Sequence, residues 1–129
     1  EESLWRDVVA KSPTKLRPRL QLARAVAPEE GLRLLAGRAE TAALAESGRL
    51  YLALGRPAEA LAVFGRVLAE EPGSAAAVAN RGTALAMLGQ REAAVADFRR
   101  SLELDACFAV ARENLRKLGE AVGEDGRCR

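Results

Sequence analysis

A shift of 34 residues lays this chain onto itself. When residues 41–74 are set against 75–108, Gly48 falls on Gly82, Leu54-Gly55 on Leu88-Gly89, Ala60 on Ala94, Phe64 on Phe98, Arg66 on Arg100 and Leu68 on Leu102. Eleven of the 34 positions are identical; the Ala matches come cheaply in an Ala-rich chain, but the Gly and Phe matches do not. Asn80 also falls on Asn114, which carries the register into a third unit. A period of this length belongs to repeat architectures, in which one unit cannot bury its apolar face alone and neighbours stack to make a continuous core.

Each unit reads as two helices. Thr41 to Leu54 carries Leu44, Leu50, Tyr51 and Leu54, and Gly55-Arg56-Pro57 then breaks the chain, with Gly suited to follow one helix and Pro to open the next. Ala58 to Ala69 carries Leu61, Phe64 and Leu68 at helical spacing, and Pro72-Gly73-Ser74 ends it. The second unit repeats the plan with Ala75 to Leu88, a turn at Gly89-Gln90, and Arg91 to Leu104. Composition agrees. Ala occurs 27 times and Leu 19 times, Ile is absent, and only five residues are aromatic. These are the choices of a helical protein and not of a sheet.

The pattern resembles the tetratricopeptide repeat, whose signature is W-x₂-L-G-x₂-Y, then A-x₃-F, then P. The first unit shows Leu44-x₂-Ser47-Gly48-x₂-Tyr51, Ala60-x₃-Phe64 and Pro72; the second shows Val78-x₂-Arg81-Gly82-x₂-Leu85 and Ala94-x₃-Phe98, with Ala106 in place of Pro. Ser47 and Arg81 depart from the usual Leu. The resemblance implies an all-α, right-handed α-solenoid of antiparallel helix pairs. Small residues at Gly48 and Ala60 let the two helices approach, and Phe64 is expected to fill the room this leaves on the other side.

Residues 1–122 are expected to form one domain. Residues 1–15 read as the last helix of a preceding unit, with Trp5 in the Phe place and Pro13 in the Pro place. Residues 16–40 read as a truncated repeat, with Leu16 to Ala27 as its first helix and a short second one begun by Pro28-Glu29-Glu30. Residues 41–74 and 75–108 are the full repeats. Residues 109–122 supply a C-terminal capping helix, read as Phe108 to Ala121, whose outer face would carry Arg112, Arg116 and Glu120. Residues 123–129 read as a disordered tail. The opening Leu4-Trp5-Arg6-Asp7-Val8-Val9, with Lys11-Ser12-Pro13, Lys15 and Arg17-Pro18, is also similar to the start of the repeat tail of O-mannosyltransferase-like membrane proteins.

Much chemistry is excluded by what the sequence lacks. It has no His, so His-based catalysis, His metal sites and a His pH switch are ruled out. Cys107 and Cys128 show neither CxxC nor zinc spacing and read as unpaired thiols, with a disulfide that ties down the tail as the alternative. No GxSxG, GxGxxG or P-loop occurs, and Glu29-Glu30, Glu70-Glu71 and Arg99-Arg100 read as solvated charge. We therefore expect no enzyme and no cofactor. The net charge of +2 and the few aromatic residues argue against nucleic acid. No apolar run approaches the roughly 20 residues of a membrane span, so this segment is not expected to insert into a membrane. The chain opens at Glu1 rather than Met, so the missing targeting signal leaves the compartment open, cytoplasmic or on the non-cytoplasmic face of a membrane protein.

What remains is a surface. The resemblance implies that the first helix of each unit lines a concave groove, with Arg17, Leu20 and Arg24 from the truncated unit, Ala42, Ala45, Arg49, Leu52 and Ala53 from the next, then Ala76, Ala79, Asn80, Thr83, Ala86 and Met87, and finally Val110, Glu113 and Lys117. The expected function is a non-catalytic interaction module that holds a peptide or protein segment there, with arginines favouring carboxylates or phosphates. The alternatives are an accessory tail of a membrane glycosyltransferase and a purely structural packing domain. The carboxylate clamp that one subfamily uses for chaperone tails is not expected, because only Asn80 keeps the matching residue there, while Ala45, Arg49, Val110 and Asn114 replace the others.

Overall fold

The computed structural model describes residues 2–11 and 15–123; Glu1, Ser12, Pro13, Thr14 and 124–129 lie outside it, and with them most of the segment read as a tail. Among the described residues the chain forms eight α-helices and no strand: α1 (Glu2–Lys11), α2 (Leu16–Ala25), α3 (Pro28–Leu35), α4 (Thr41–Ala53), α5 (Pro57–Glu70), α6 (Ala75–Met87), α7 (Arg91–Leu104) and α8 (Ala109–Lys117).

Local chemistry sets the boundaries. α2 stops at Ala25, two residues short of the expected Ala27. A residue before proline is pushed out of the helical region, and Val26 and Ala27 are both extended ahead of Pro28. Pro28 and Pro57 open α3 and α5, where a missing N–H costs nothing. Ser74 caps α6 by accepting a hydrogen bond from the Ala77 N–H at 3.1 Å. Ser74 thus both follows the Pro72-Gly73 stop after α5 and starts the next helix.

α4 and α6 end alike. Gly55 and Gly89 take φ of +70° and +80°, and the next N–H reaches back to Tyr51 and Leu85 at 2.8 and 2.9 Å. α8 ends the same way, with Gly119 at φ +76° and the Glu120 N–H on the Leu115 carbonyl at 2.9 Å. This corrects the expectation of a helix running to Ala121. Gly119 arrives four residues before the register position of Gly55 and Gly89, so α8 loses its last turn.

Packing joins α4 to α5 and α6 to α7 within units, and α5 to α6 between them. At each unit's centre a phenylalanine ring lies on a glycine. Phe64 and Phe98 are buried at 0% and 1% exposure. A Cβ on Gly48 would stand 2.6 Å from Phe64 Cζ, and one on Gly82 would stand 2.9 Å from Phe98 Cε1. The ring therefore fills the space that the glycine itself vacates, and not a space on the far side. Around the second ring Ala79, Ala94, Ala111 and Leu115 close the core, with Leu118 and Val122 against them.

Other corrections concern the end of the chain. Glu120 does not face outward from α8. It follows the helix and is held by Arg91 at 2.8 Å and Arg99 at 3.3 Å, while Arg91 also donates to the Leu118 carbonyl. Arg99 is thus a latch on the last segment as well as a surface charge. Cys107 is disulfide-bonded, against the reading of unpaired thiols; the other cysteine, Cys128, lies outside the described residues.

Candidate functional site: the concave face

The stack has two unequal sides. The first helices α2, α4, α6 and α8 pack in succession, α2 on α4, α4 on α6 and α6 on α8. The second helices α3, α5 and α7 share no such packing with one another among the described residues. Close spacing on one side and splaying on the other curve the stack, and α2, α4, α6 and α8 form its inner wall.

The 34-residue register turns that wall into rows. Glu46, Asn80 and Asn114 occupy one register position, and Arg49, Thr83 and Lys117 occupy another. Toward α2 the rows enclose a depression of about 340 Å³, lined by Arg24, Ala42, Ala45, Glu46, Arg49 and Asn80 among others. Toward α8 lies a second, of about 280 Å³, whose lining includes Thr83, Ala86, Met87, Asn114, Lys117 and Leu118.

Glu46 dominates the first depression. It is only 4% exposed, and it receives Arg24 Nε at 3.2 Å and Arg49 Nη1 at 2.8 Å on the same oxygen. A buried carboxylate without partners would be costly. Here two guanidiniums supply them, one from α2 and one from its own helix. The arginine side chains remain 51% and 57% exposed. Within this cluster two positive groups against one negative leave one net positive charge and unused N–H donors, and Glu71 lines the same depression.

The second depression is less polar. The Thr83 hydroxyl donates to the Ala79 carbonyl at 3.1 Å and accepts from Asn114 Nδ2 at 3.3 Å. Met87 is 46% exposed, and Lys117 makes no ion pair among the described residues.

The other expected groove residues are scattered. Arg17 is exposed on α2 and lines neither depression. Leu52 is half-buried against the cluster of Ala60, Phe64 and Ala84. Glu113 is exposed and pairs with Arg116, one turn on, at 3.8 Å. Ala79 is not a groove residue at all, being fully buried beside Phe98. Glu46 was missed because its surroundings read as a run of small apolar residues. Its signal was the register, since it stands one unit before Asn80 and three residues before Arg49.

No catalytic grouping emerges from these side chains. Among the described residues no three His, Cys, Asp or Glu gather where a metal ion could be held, and no helix is long and apolar enough to cross a membrane. Another depression, of about 830 Å³, lies at the start of α7 beside Glu120, away from the inner wall, where Arg91 and Glu120 already satisfy each other.

Known proteins bear out this architecture. The tetratricopeptide repeat family matches residues 51–105. The FK506-binding protein-like protein of Mus musculus is 43% identical over 67 residues, which are 52% of this chain and 19% of that protein, so the chain spans a small part of that relative. A crystal structure of MamA superposes with a TM-score of 0.72 at 14% identity, covering 92% of this chain and 77% of MamA. The NMR structure of the first TPR domain of the human RPAP3 protein gives 0.61 at 19% identity, over 92% of this chain and 86% of that one. At these identities the two structures speak for the fold alone. Residues 51–105 thus match the tetratricopeptide repeat in sequence, and the stacked helix pairs give the described residues the all-α repeat-solenoid fold of these structures.

Proposed function

We propose that this solenoid works as a protein–protein interaction module that holds an acidic peptide or protein segment along its concave face. The tetratricopeptide-repeat fold itself suggests protein partners. One observation carries the finer reading. Arg24 and Arg49 are fixed from two helices by a single buried acid, Glu46, and so present a pre-set cationic pair that is only half neutralised. Guanidiniums already held in place lose less freedom on meeting a second carboxylate. Beyond them Asn80 offers an amide to a peptide backbone, and the Ala86–Met87 depression offers apolar surface.

The test uses fluorescence anisotropy with labelled acidic, neutral and basic decapeptides on the wild-type chain and on the double variant Arg24→Glu/Arg49→Glu. The acidic peptides are expected to bind best, to weaken with salt, and to lose at least about tenfold in affinity in the variant, as removal of a charge-assisted pair predicts. Binding indifferent to both arginines and to salt would refute the reading, and so would no binding by any peptide.

A further inference from the structure

A second concavity, of about 290 Å³, opens on the other side of α4. Residues along an α-helix are 100° apart, so Ser47 and Tyr51 stand about 200° round the helix from Ala45 and Arg49. They line this notch together with Leu44, Val63, Arg38 and Arg66. It is therefore separate from the groove.

The second repeat supplies an internal comparison. One unit on, Leu44, Ser47, Tyr51, Val63 and Arg66 become Val78, Arg81, Leu85, Asp97 and Arg100. There Arg81 and Asp97 close the place with two hydrogen bonds, of 2.8 and 2.9 Å, and Arg100 is paired with Glu103 at 3.1 Å. The first repeat does neither. Ser47 is short, and its hydroxyl is already spent on the Ala43 carbonyl at 2.9 Å. Val63 offers only methyl groups. Arg66 is exposed and has no ion pair among the described residues, since Ala69 stands where the second unit has Glu103. Arg38, on the opposite wall, is engaged by Glu40 through both its Nε and Nη2. The same fold thus fills and neutralises the site in one unit and leaves it apolar, open and singly cationic in the next.

We propose that this notch is a second docking site, and that its occupant is a segment of another protein presenting one aliphatic or aromatic side chain flanked by carboxylates. The apolar side chain would meet Leu44, Tyr51 and Val63, and a flanking carboxylate would meet the Arg66 guanidinium. An apolar floor rewards burial of an apolar side chain, and the uncancelled arginine discriminates against basic flanks.

Nuclear magnetic resonance titration tests this with two acetylated, amidated decapeptides, one with a leucine flanked by glutamates and one with the same leucine flanked by lysines. The glutamate peptide is expected to shift the amides of Ser47, Val63 and Arg66, and the lysine peptide to leave them unmoved. Ser47→Arg/Val63→Asp installs the second unit's own pair. It is expected to fold like the parent and to bind the glutamate peptide at least tenfold more weakly. Arg66→Glu, at an exposed position, is expected to do the same without touching the interior, so it carries the test if the double variant does not fold. The proposal is overturned if affinity survives in Arg66→Glu, or if neither peptide binds at millimolar concentration. It is equally overturned if the shifts map to Ala45, Arg49 and Asn80, or if light scattering shows the notch occupied by a second copy. Loss of binding in Arg66→Glu leaves the groove untested, since Arg24 lies on α2 and Arg49 on the opposite face of α4.

Discussion

Arg81 on α6 and Asp97 on α7 meet in a two-point ion pair, at the positions that Ser47 and Val63 hold one repeat earlier. Arg81 stands where the tetratricopeptide repeat usually places a leucine, and its charge is tolerable there because Asp97 answers it across the helix pair. The carboxylate is the more deeply buried partner, with its side chain 11% exposed against 35% for the arginine. Hydrogen bonding to Asp97 raises the Arg81 pKa above its ordinary value.

Removing the two partners should therefore be unequal. Arg81→Ser strands a buried carboxylate and is expected to cost about 1–3 kcal/mol. Asp97→Val leaves an arginine that reaches water and should cost less. The double variant restores the first repeat's own pair and should lie within about 1 kcal/mol of wild type, as replacement of both members of a buried pair often does. Urea denaturation of the four proteins measures this cycle.

Gly48→Ala should destabilise more than Gly82→Ala. The new methyl would sit 2.6 Å from Phe64 Cζ, with both Cε atoms also within 2.9 Å, against 2.9 Å from Phe98 Cε1 and 3.1 Å from its Cδ1. Overpacking of this kind costs about 1–3 kcal/mol, and alanine's better helix propensity returns up to about 1 kcal/mol. Thermal melting of the two variants should rank them in that order.

The 34-residue register made the helix pairs legible before any coordinates, because Gly48, Phe64 and their counterparts repeat with the geometry they serve. The boundaries that moved did so for local reasons. Pro28 shortened α2, and Gly119 ended α8 a turn early. The groove was legible only in part. Arg24, Arg49, Asn80, Thr83, Met87 and Lys117 do line its depressions, whereas Ala79 is buried and Arg17 stands apart. Helix periodicity assigns a face but not what reaches across to a neighbouring helix. The Arg24–Glu46 contact spans 22 residues and the Arg81–Asp97 contact 16, and neither separation is a local spacing. The disulfide at Cys107 was legible only as the lesser alternative, since sequence distance does not report spatial distance.

Glu46→Gln should release both groove arginines from their shared carboxylate. With half of each arginine side chain exposed, the loss in stability is expected to be modest, about 1–2 kcal/mol. Affinity for an acidic peptide should become more salt-dependent, because one more positive charge is left uncancelled. Chemical denaturation and anisotropy at two ionic strengths check both halves of this expectation.

Glu40 provides a pH signature. A backbone hydrogen bond and the Arg38 guanidinium hold its carboxyl below the ordinary glutamate value of 4.5. A carboxyl depressed by folding contributes stability that is present above the unfolded value and is lost as pH falls through the folded one. Carbon-detected titration should place its midpoint below 4.5, and Arg38→Gln should move it upward. The stability difference between wild type and Glu40→Gln should vanish once the pH lies below that midpoint.

The most direct measurement is proton NMR of the two core glycines. The α protons of Gly48 and Gly82 should both be shifted upfield by aromatic ring currents, with nuclear Overhauser contacts to Phe64 and Phe98 respectively. Unshifted glycines, or contacts in one unit and not the other, would contradict the stacking of two equivalent helix pairs on which the groove depends.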